Sequence, residues 1–173
     1  DLWLKGKKFG EQAKEAFEKR KQQGVTIDNL KGTQSSSDDK TDKQKKQAEN
    51  KAYKRYIAEL KSALEAHVQA LKDLSEQNEI AYKEGFKSYA EYMTDKVRYS
   101  LDEAQSKVNE LNAEREAIQN RSYLEPDEKE EALYKNQKEL AKANATLTKL
   151  TRAQEEVAEY LKQSASNMSN VSS

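Results

Sequence analysis

Residues three and four positions apart form two long, mainly hydrophobic series in this chain, which is the spacing of the buried face of a coiled-coil helix. We call each series a seam. The first seam consists of Asn50, Tyr53, Ile57, Leu60, Leu64, His67, Leu71, Leu74, Asn78 and Ala81. The second consists of Leu133, Asn136, Leu140, Ala143, Leu147, Leu150, Gln154, Val157 and Leu161. These seams predict one long helix over residues 42–84 and another from about Pro126 to Lys162.

A third stripe between the two seams predicts the first arm of a helical hairpin. Pro126 and the acidic residues beside it suit the first turn of the following helix. Two arms of similar length joined by a short polar turn predict an antiparallel hairpin over residues 85–162. Whether the preceding helix continues straight across Gly85 or folds back there stays open. The stripe consists of Phe86, Ala90, Met93, Val97, Leu101, Ala104, Val108, Leu111, Arg115 and Ile118.

The ends of the chain differ in composition from its middle. Thr41 and Gln44 have the spacing of a capping box, which predicts a helix start near Asp42. Residues 25–41 are rich in Gly, Ser and Asp and predict a flexible linker. We expect a short helix and a hydrophobic anchor within residues 1–24, and a frayed polar tail over residues 163–173. The proposed anchor, which would dock on another surface, is formed by Leu2, Trp3 and Leu4.

Composition supports an all-α fold of long coiled-coil-type helices. Charged residues make up 36% of the chain and hydrophobic ones 35%, so each helix can bury a stripe but not a thick core. Val and Ile are sparse and never alternate with polar residues over the length of a strand. The chain starts without Met, and we expect it to be part of a longer protein.

The charge balance and the apolar runs exclude several classes of partner. Lys plus Arg and Asp plus Glu both total 31, so no net field would hold nucleic acid or an acidic membrane surface. No apolar run has the length of a membrane span. The absence of Cys excludes a disulfide framework and a thiolate metal site. We expect protein partners, including other copies of the chain in a small homo-oligomer.

No group of residues in the sequence predicts catalysis. A catalytic site needs titratable side chains converging in a concave pocket, which a helical hairpin does not supply by itself. We therefore expect no enzyme activity, no catalytic residue, no cofactor or metal, and no small-molecule substrate. The one histidine, His67, lies in the first seam between Leu64 and Leu71. It is expected to set register or partner number, and the alternative is a histidine ring around an anion or metal in an oligomer.

Polar residues in the seams are candidates for fixing the register of the helices. An alternative is that these parts of the seams meet solvent or a looser partner. Aromatic residues are concentrated around Gly85, and they predict either a core where helices meet or a contact patch for another subunit. The register candidates are Asn50, His67, Asn78, Asn136 and Gln154. The partner-contact candidates, besides the N-terminal anchor, are Tyr82, Phe86, Tyr89, Tyr92, Met93 and Tyr99.

Two stretches resemble the tail tape measure proteins of bacteriophages. The opening from Asp1 to Lys7, followed by Phe9-Gly10 and a charged segment, resembles the motif that often closes the hydrophobic section of that family. The turn from Leu124 to Leu133 is similar to the family's variable helical section. The resemblance implies a non-enzymatic protein that fills the tail tube of a virion, sets tube length and contacts tube or tip proteins. The alternative is a cytoplasmic coiled-coil adaptor or scaffold that binds partner helices.

Overall fold

The computed structural model describes residues 41–172 of the chain, with side chains described as far as Met168. Over this range the protein consists of three long helices and contains no strand. They are α1 (Asp42–Lys83), α2 (Tyr89–Gln119) and α3 (Pro126–Ser172). The predicted all-α class with an antiparallel hairpin is confirmed. The predicted anchor, short helix and all but the last residue of the linker lie outside the described residues.

Helix α1 begins where the sequence predicts it. Thr41 Oγ1 accepts a hydrogen bond from Gln44 N at 3.3 Å, and Gln44 Oε1 accepts one from Thr41 N at 3.3 Å. This capping box satisfies two N–H groups that have no partner within the helix. From this start α1 extends over 42 residues, or about 63 Å.

The chain folds back at the segment 84–88, which we call the knee. Phe86 N donates to Ala81 O at 2.8 Å and Gly85 N donates to Tyr82 O at 3.1 Å, the two hydrogen bonds of a Schellman motif. Gly85 has a φ of 83°, a left-handed conformation that disfavours side chains. Ser88 then caps α2 in a second capping box with Glu91. The sequence left open whether the chain continues straight across Gly85 or folds back there. The structure shows that it folds back.

The turn at Pro126 is also where the sequence predicts it. Glu125 O accepts the first helical hydrogen bond of α3 from Lys129 N at 2.9 Å. The far end of α3 differs from the prediction, because the helix continues to Ser172 and does not end near Lys162. No Gly or Pro follows Pro126, and Ser and Asn lower helix propensity only modestly, so nothing stops the helix.

Helix α2 lies between the other two helices and packs antiparallel to both. On one side, Tyr99 packs with Leu71 and Leu74 of α1; on the other, Val108 packs with Leu140 of α3. At about 100° per residue, Tyr99 and Val108 lie half a turn apart around α2. Among the described residues, α1 and α3 have no Cα atoms within 8 Å of each other. The three helices therefore form an open layer with two separate interfaces.

Candidate interaction surface and polar contacts between the helices

A buried carboxylate joins α1 to the turn between α2 and α3. Glu49 is 4% exposed, and its Oε1 accepts hydrogen bonds from Arg121 Nε at 3.3 Å and Tyr123 N at 3.2 Å. Its Oε2 accepts one from Ser122 N at 2.9 Å. The carboxylate therefore satisfies backbone N–H groups just beyond the end of α2. Hydrogen bonds to a charged acceptor of this kind are among the stronger ones in proteins.

Arg121 extends this contact along α1. Its guanidinium donates to Asn50 Oδ1, and its Cζ lies 4.5 Å from the centroid of the Tyr53 ring. Burial raises the pKa of the Tyr53 phenol, the Glu114 carboxylate adds to the rise, and Arg121 opposes it. Asn50, a register candidate, is half-buried and engaged in an interhelical hydrogen bond.

The seam histidine pairs with a carboxylate of α2. His67 is 6% exposed, and its Nε2 lies 2.9 Å from Asp102 Oδ1. Ser106 Oγ donates to the same oxygen at 3.3 Å. This pair separates the hydrophobic cluster around Leu64 from the one around Leu71. A register shift of one turn would separate these two polar groups, so we expect the pair to favour the observed alignment of α1 on α2.

A third polar group lies next to the knee. Asn78 is 1% exposed; its Nδ2 donates to Tyr92 O at 3.0 Å, and its Oδ1 accepts from Lys87 Nζ at 2.6 Å. Lys87 also pairs with the buried Asp95, whose Oδ1 lies 2.8 Å from Arg98 Nη2. Both ends of the Asn78 amide are therefore satisfied by the chain that follows the bend.

The hairpin interface contains its own polar contacts. Asn136 is 3% exposed and its Nδ2 donates to Leu111 O at 2.9 Å. One turn further along α2, Arg115 Nη1 donates to Gln137 Oε1 at 2.7 Å. Gln154, also a register candidate, is exposed, whereas the neighbouring Ala153 is half-buried. The seam of α3 therefore contains Ala153 in place of the predicted Gln154.

Aromatic side chains form a partly exposed cluster at the knee. The Tyr82 ring stacks on Tyr92 with centroids 4.6 Å apart and lies 5.9 Å from the Tyr89 ring. Tyr82 is 37% exposed, Tyr89 48% and Phe86 80%. These three candidates can reach a partner.

The other candidates for partner contact have different surroundings. Tyr92 and Met93 are half-buried, and Leu2, Trp3 and Leu4 lie outside the described residues. Tyr99 is only 2% exposed because it fills the α1–α2 interface, so of the two interpretations it fits the core where helices meet.

Several buried polar residues of these interfaces were not predicted from the sequence. Those on α2 follow the same spacing of three and four as a seam, but the series is mainly polar and does not stand out by hydrophobicity. The unpredicted buried polar residues are Glu49, Asp95, Ser106, Glu110 and Arg121, and the half-buried Asp102 belongs with them.

Two properties of the described residues bear on other classes of function. Residues 41–172 contain no group of three or more His, Asp or Glu placed to hold a metal ion. None of the three helices combines the length and apolar character needed to cross a membrane. No family model, curated protein or solved structure matches this chain. Its function is therefore inferred from the contacts and exposed surfaces described above.

Proposed function

We propose that this chain is a non-enzymatic structural protein, a segment of a phage tail tape measure protein that fills the tail tube and contributes a fixed length to it. The observation that carries the proposal is the path of the chain through three antiparallel helices. The chain enters α1 at the Pro126 end of the layer and leaves α3 at the knee end. An odd number of antiparallel helices therefore advances the chain by about one helix length.

The doubling back at the knee and at Pro126 is compatible with a length-setting role. A continuous helix over residues 42–172 would extend roughly 195 Å, whereas the folded layer advances the chain by about 75 Å, because the last turns of α3 continue past the start of α2. The folded segment would act as a compact insert of defined length within a ruler. Its location would then be the virion tail, and its partners would be tube or tip proteins.

A length-setting insert must keep its helices in one register, and we infer that the polar contacts between the helices impose that register. Glu49, His67 and Asn78 occupy separate levels of the α1–α2 interface, each with a partner on or just after α2. Asn136 makes the corresponding polar contact between α3 and α2 by donating to Leu111 O. A slip by one turn would leave buried polar groups without partners, at a cost of about 1–3 kcal/mol each.

Tail length in a phage that encodes this chain tests the proposal. In-frame removal of residues 42–172 should shorten the tail by about 75 Å in electron micrographs, with the tube otherwise normal. Removal of α3 alone should disrupt the fold and give tails of irregular length. Tails of unchanged length, or virions that lack the chain by mass spectrometry, would contradict the proposal.

The exposed aromatic knee favours a second candidate, a coiled-coil adaptor that binds partner helices. Phe86 is 80% exposed beside Tyr82 and Tyr89, and such patches are common in protein interfaces. An adaptor would retain a partner through the knee and show no effect on tail length. Substitution of Phe86 by Ser would then abolish partner binding while the helical content stays unchanged.

A further inference from the structure

The face of α1 that points away from α2 carries its charges in blocks, and we call it the outer face of α1. A residue nine positions from a buried seam residue lies about two and a half turns away and therefore on the opposite face of the helix. Lys51 has this position relative to Leu60. The exposed charged residues of this outer face are, in order, the basic Lys51 and Arg55, the acidic Glu65, Asp73 and Glu76, and the basic Lys83.

The corresponding outer face of α3 has the opposite order of charge. Asp127, for example, is nine positions from the buried Asn136 and so points away from α2. This face is acidic in its first turns, basic in its middle and acidic again beyond it. Its exposed charged residues are, in order, Asp127 and Glu131, then Lys138, Lys142, Lys149 and Arg152, and finally Glu156 and Glu159. The two edges of the layer are therefore complementary in charge.

The two interfaces of α2 place these complementary blocks at matching heights. The contacts of His67 with Asp102 and of Asn136 with Leu111 define how the three helices align. Continued along the helices, this alignment places the basic start of α1 level with the acidic start of α3, and the acidic middle of α1 level with the basic middle of α3. Because α1 and α3 run in the same direction, a parallel second copy in the same plane would bring its α3 against α1 with these heights kept.

The size and chemistry of the outer faces suit a reversible contact. Helix α1 is about 63 Å long and about 10 Å wide, so its edge offers roughly 600 Å² per copy, at the low end for specific interfaces. Tyr134 is 68% exposed on the outer face of α3, at the height of Arg55 in a neighbouring α1, where ring and guanidinium attract each other. Two α1 edges placed side by side in parallel would instead oppose like charges, so the favoured contact joins unlike edges.

We propose that copies of this chain associate side by side and parallel, with the outer face of α1 in one copy against the outer face of α3 in the next. The contact joins two different surfaces, so each copy accepts a neighbour at both edges and neither interface of α2 is disturbed. Such head-to-tail contacts close into a ring or continue as a ribbon, according to the angle between copies. This association goes beyond the proposed function, since it depends only on the two outer faces.

Charge reversal at either edge tests the contact. Variant A carries Lys51→Glu and Arg55→Glu, and variant B carries Asp127→Lys and Glu131→Lys. Each should weaken the association of the full chain at least about tenfold in sedimentation equilibrium at low salt, because like charges then oppose each other. The control Glu103→Lys, at an exposed position of α2, should leave the association unchanged. Circular dichroism checks that variants A and B keep the helical content of the parent.

An equimolar mixture of variants A and B separates a loss of contact from a loss of folding. In the mixture each reversed edge meets an edge of opposite charge, so the two variants together should associate as strongly as the parent. Salt at about 1 M should weaken the association of both samples, because it screens exposed charges. A parent that stays monomeric at every concentration up to millimolar, or a mixture that associates no better than A or B alone, would overturn the proposal.

Cross-linking tests the parallel direction, since the chain has no native Cys. Gln69 and Ala145 are exposed, uncharged residues of the two outer faces and lie at nearly the same height. A mixture of Gln69→Cys and Ala145→Cys should give a heterodimer with a short bismaleimide. Gln69→Cys mixed with Tyr134→Cys, which antiparallel copies would bring together, should give little. Equal yields, the reverse order or no product would overturn the parallel arrangement. None of these results depends on tail length, so this proposal and the proposed function fail independently.

Discussion

The Arg121 Nε atom lies 3.3 Å from the Glu49 carboxylate although the two residues are 72 positions apart in the chain. This contact brings the start of α1 against the turn between α2 and α3, and it closes the end of the layer opposite the knee. Both side chains are buried, with exposed fractions of 7% and 1%. Because a buried charge requires its partner, each residue depends on the other to hold this end together.

Loss of the Glu49 carboxylate should destabilise the whole fold. We expect Glu49→Ala to lower the free energy of unfolding by about 3 kcal/mol, because it leaves Arg121 buried without its counter-charge. Urea denaturation followed by circular dichroism measures this change. The control is Glu131→Ala, which removes an exposed ion pair of 3.2 Å with Lys135 and should cost less than about 0.5 kcal/mol. Similar losses in both variants would contradict the role assigned to Glu49.

The His67–Asp102 pair should show coupling that an exposed pair lacks. We expect His67→Ala and Asp102→Ala to cost about 1–3 kcal/mol each, and the double variant to lose about 1 kcal/mol less than the sum. The cycle is measured by denaturant unfolding. A parallel cycle on Gln69 and Asp73, an exposed hydrogen bond of 3.1 Å within α1, should give coupling near zero. Additive losses at His67 and Asp102 would show that the pair does not select the register.

Substitution of the left-handed glycine at the knee should lower stability only because of its backbone conformation. A Cβ at Gly85 would meet no atom within 4 Å, so the cost of Gly85→Ala comes only from its φ of 83°. We expect a loss of about 1–2 kcal/mol in thermal or urea unfolding. Gly85→Asn should lose less, since Asn tolerates this conformation better than Ala. An unchanged stability for Gly85→Ala would mean that the bend does not need the left-handed residue.

Glu114 should make stability depend on pH. Burial raises the pKa of its carboxyl; Lys61 and Lys107 oppose the rise, and Glu110 and Glu139 add to it. Because the folded pKa is the higher one, the unfolded chain loses this proton first, and folding is penalised as pH rises through the ordinary value of about 4.3. Glu114→Gln should therefore be more stable than the parent at pH 7 and equally stable below that value. A stability gain that is independent of pH would contradict this explanation.

The sequence predicted those parts of the fold that local chemistry determines. Thr41 with Gln44 and Pro126 mark helix starts because they satisfy or tolerate the free N–H groups of a first turn. The chain direction at Gly85 was left open, although Ser88 and Glu91 have the spacing of a second capping box. That spacing marks the start of a new helix after the glycine. No residue pattern marks the end of α3. The tail was predicted from composition alone, and no Gly or Pro terminates the helix there.

The α1–α2 interface could not be predicted in the same way. The face of α2 that meets α1 includes Asp95, Asp102 and Ser106, so it resembles a solvated face until its partners are known. Tyr99 was left between a core position and a contact patch for another subunit, because only one buried face of α2 was apparent from hydrophobicity. His67, Asn78 and Asn136 were recognised because they interrupt otherwise hydrophobic seams, whereas a polar residue on a polar stripe gives no such contrast.

The path of the chain through three antiparallel helices has a mechanical consequence. Tension applied to the two ends of the folded segment pulls along the helix axes from opposite ends of the layer, so both interfaces are loaded in shear. All contacts along α1 and α2, from Glu49 to Asn78, then resist sliding together rather than opening one after another. Force that pulls α1 and α2 apart at the knee, in contrast, would separate the two helices one contact at a time. The segment should therefore withstand pulling along its length far better than peeling of a single helix.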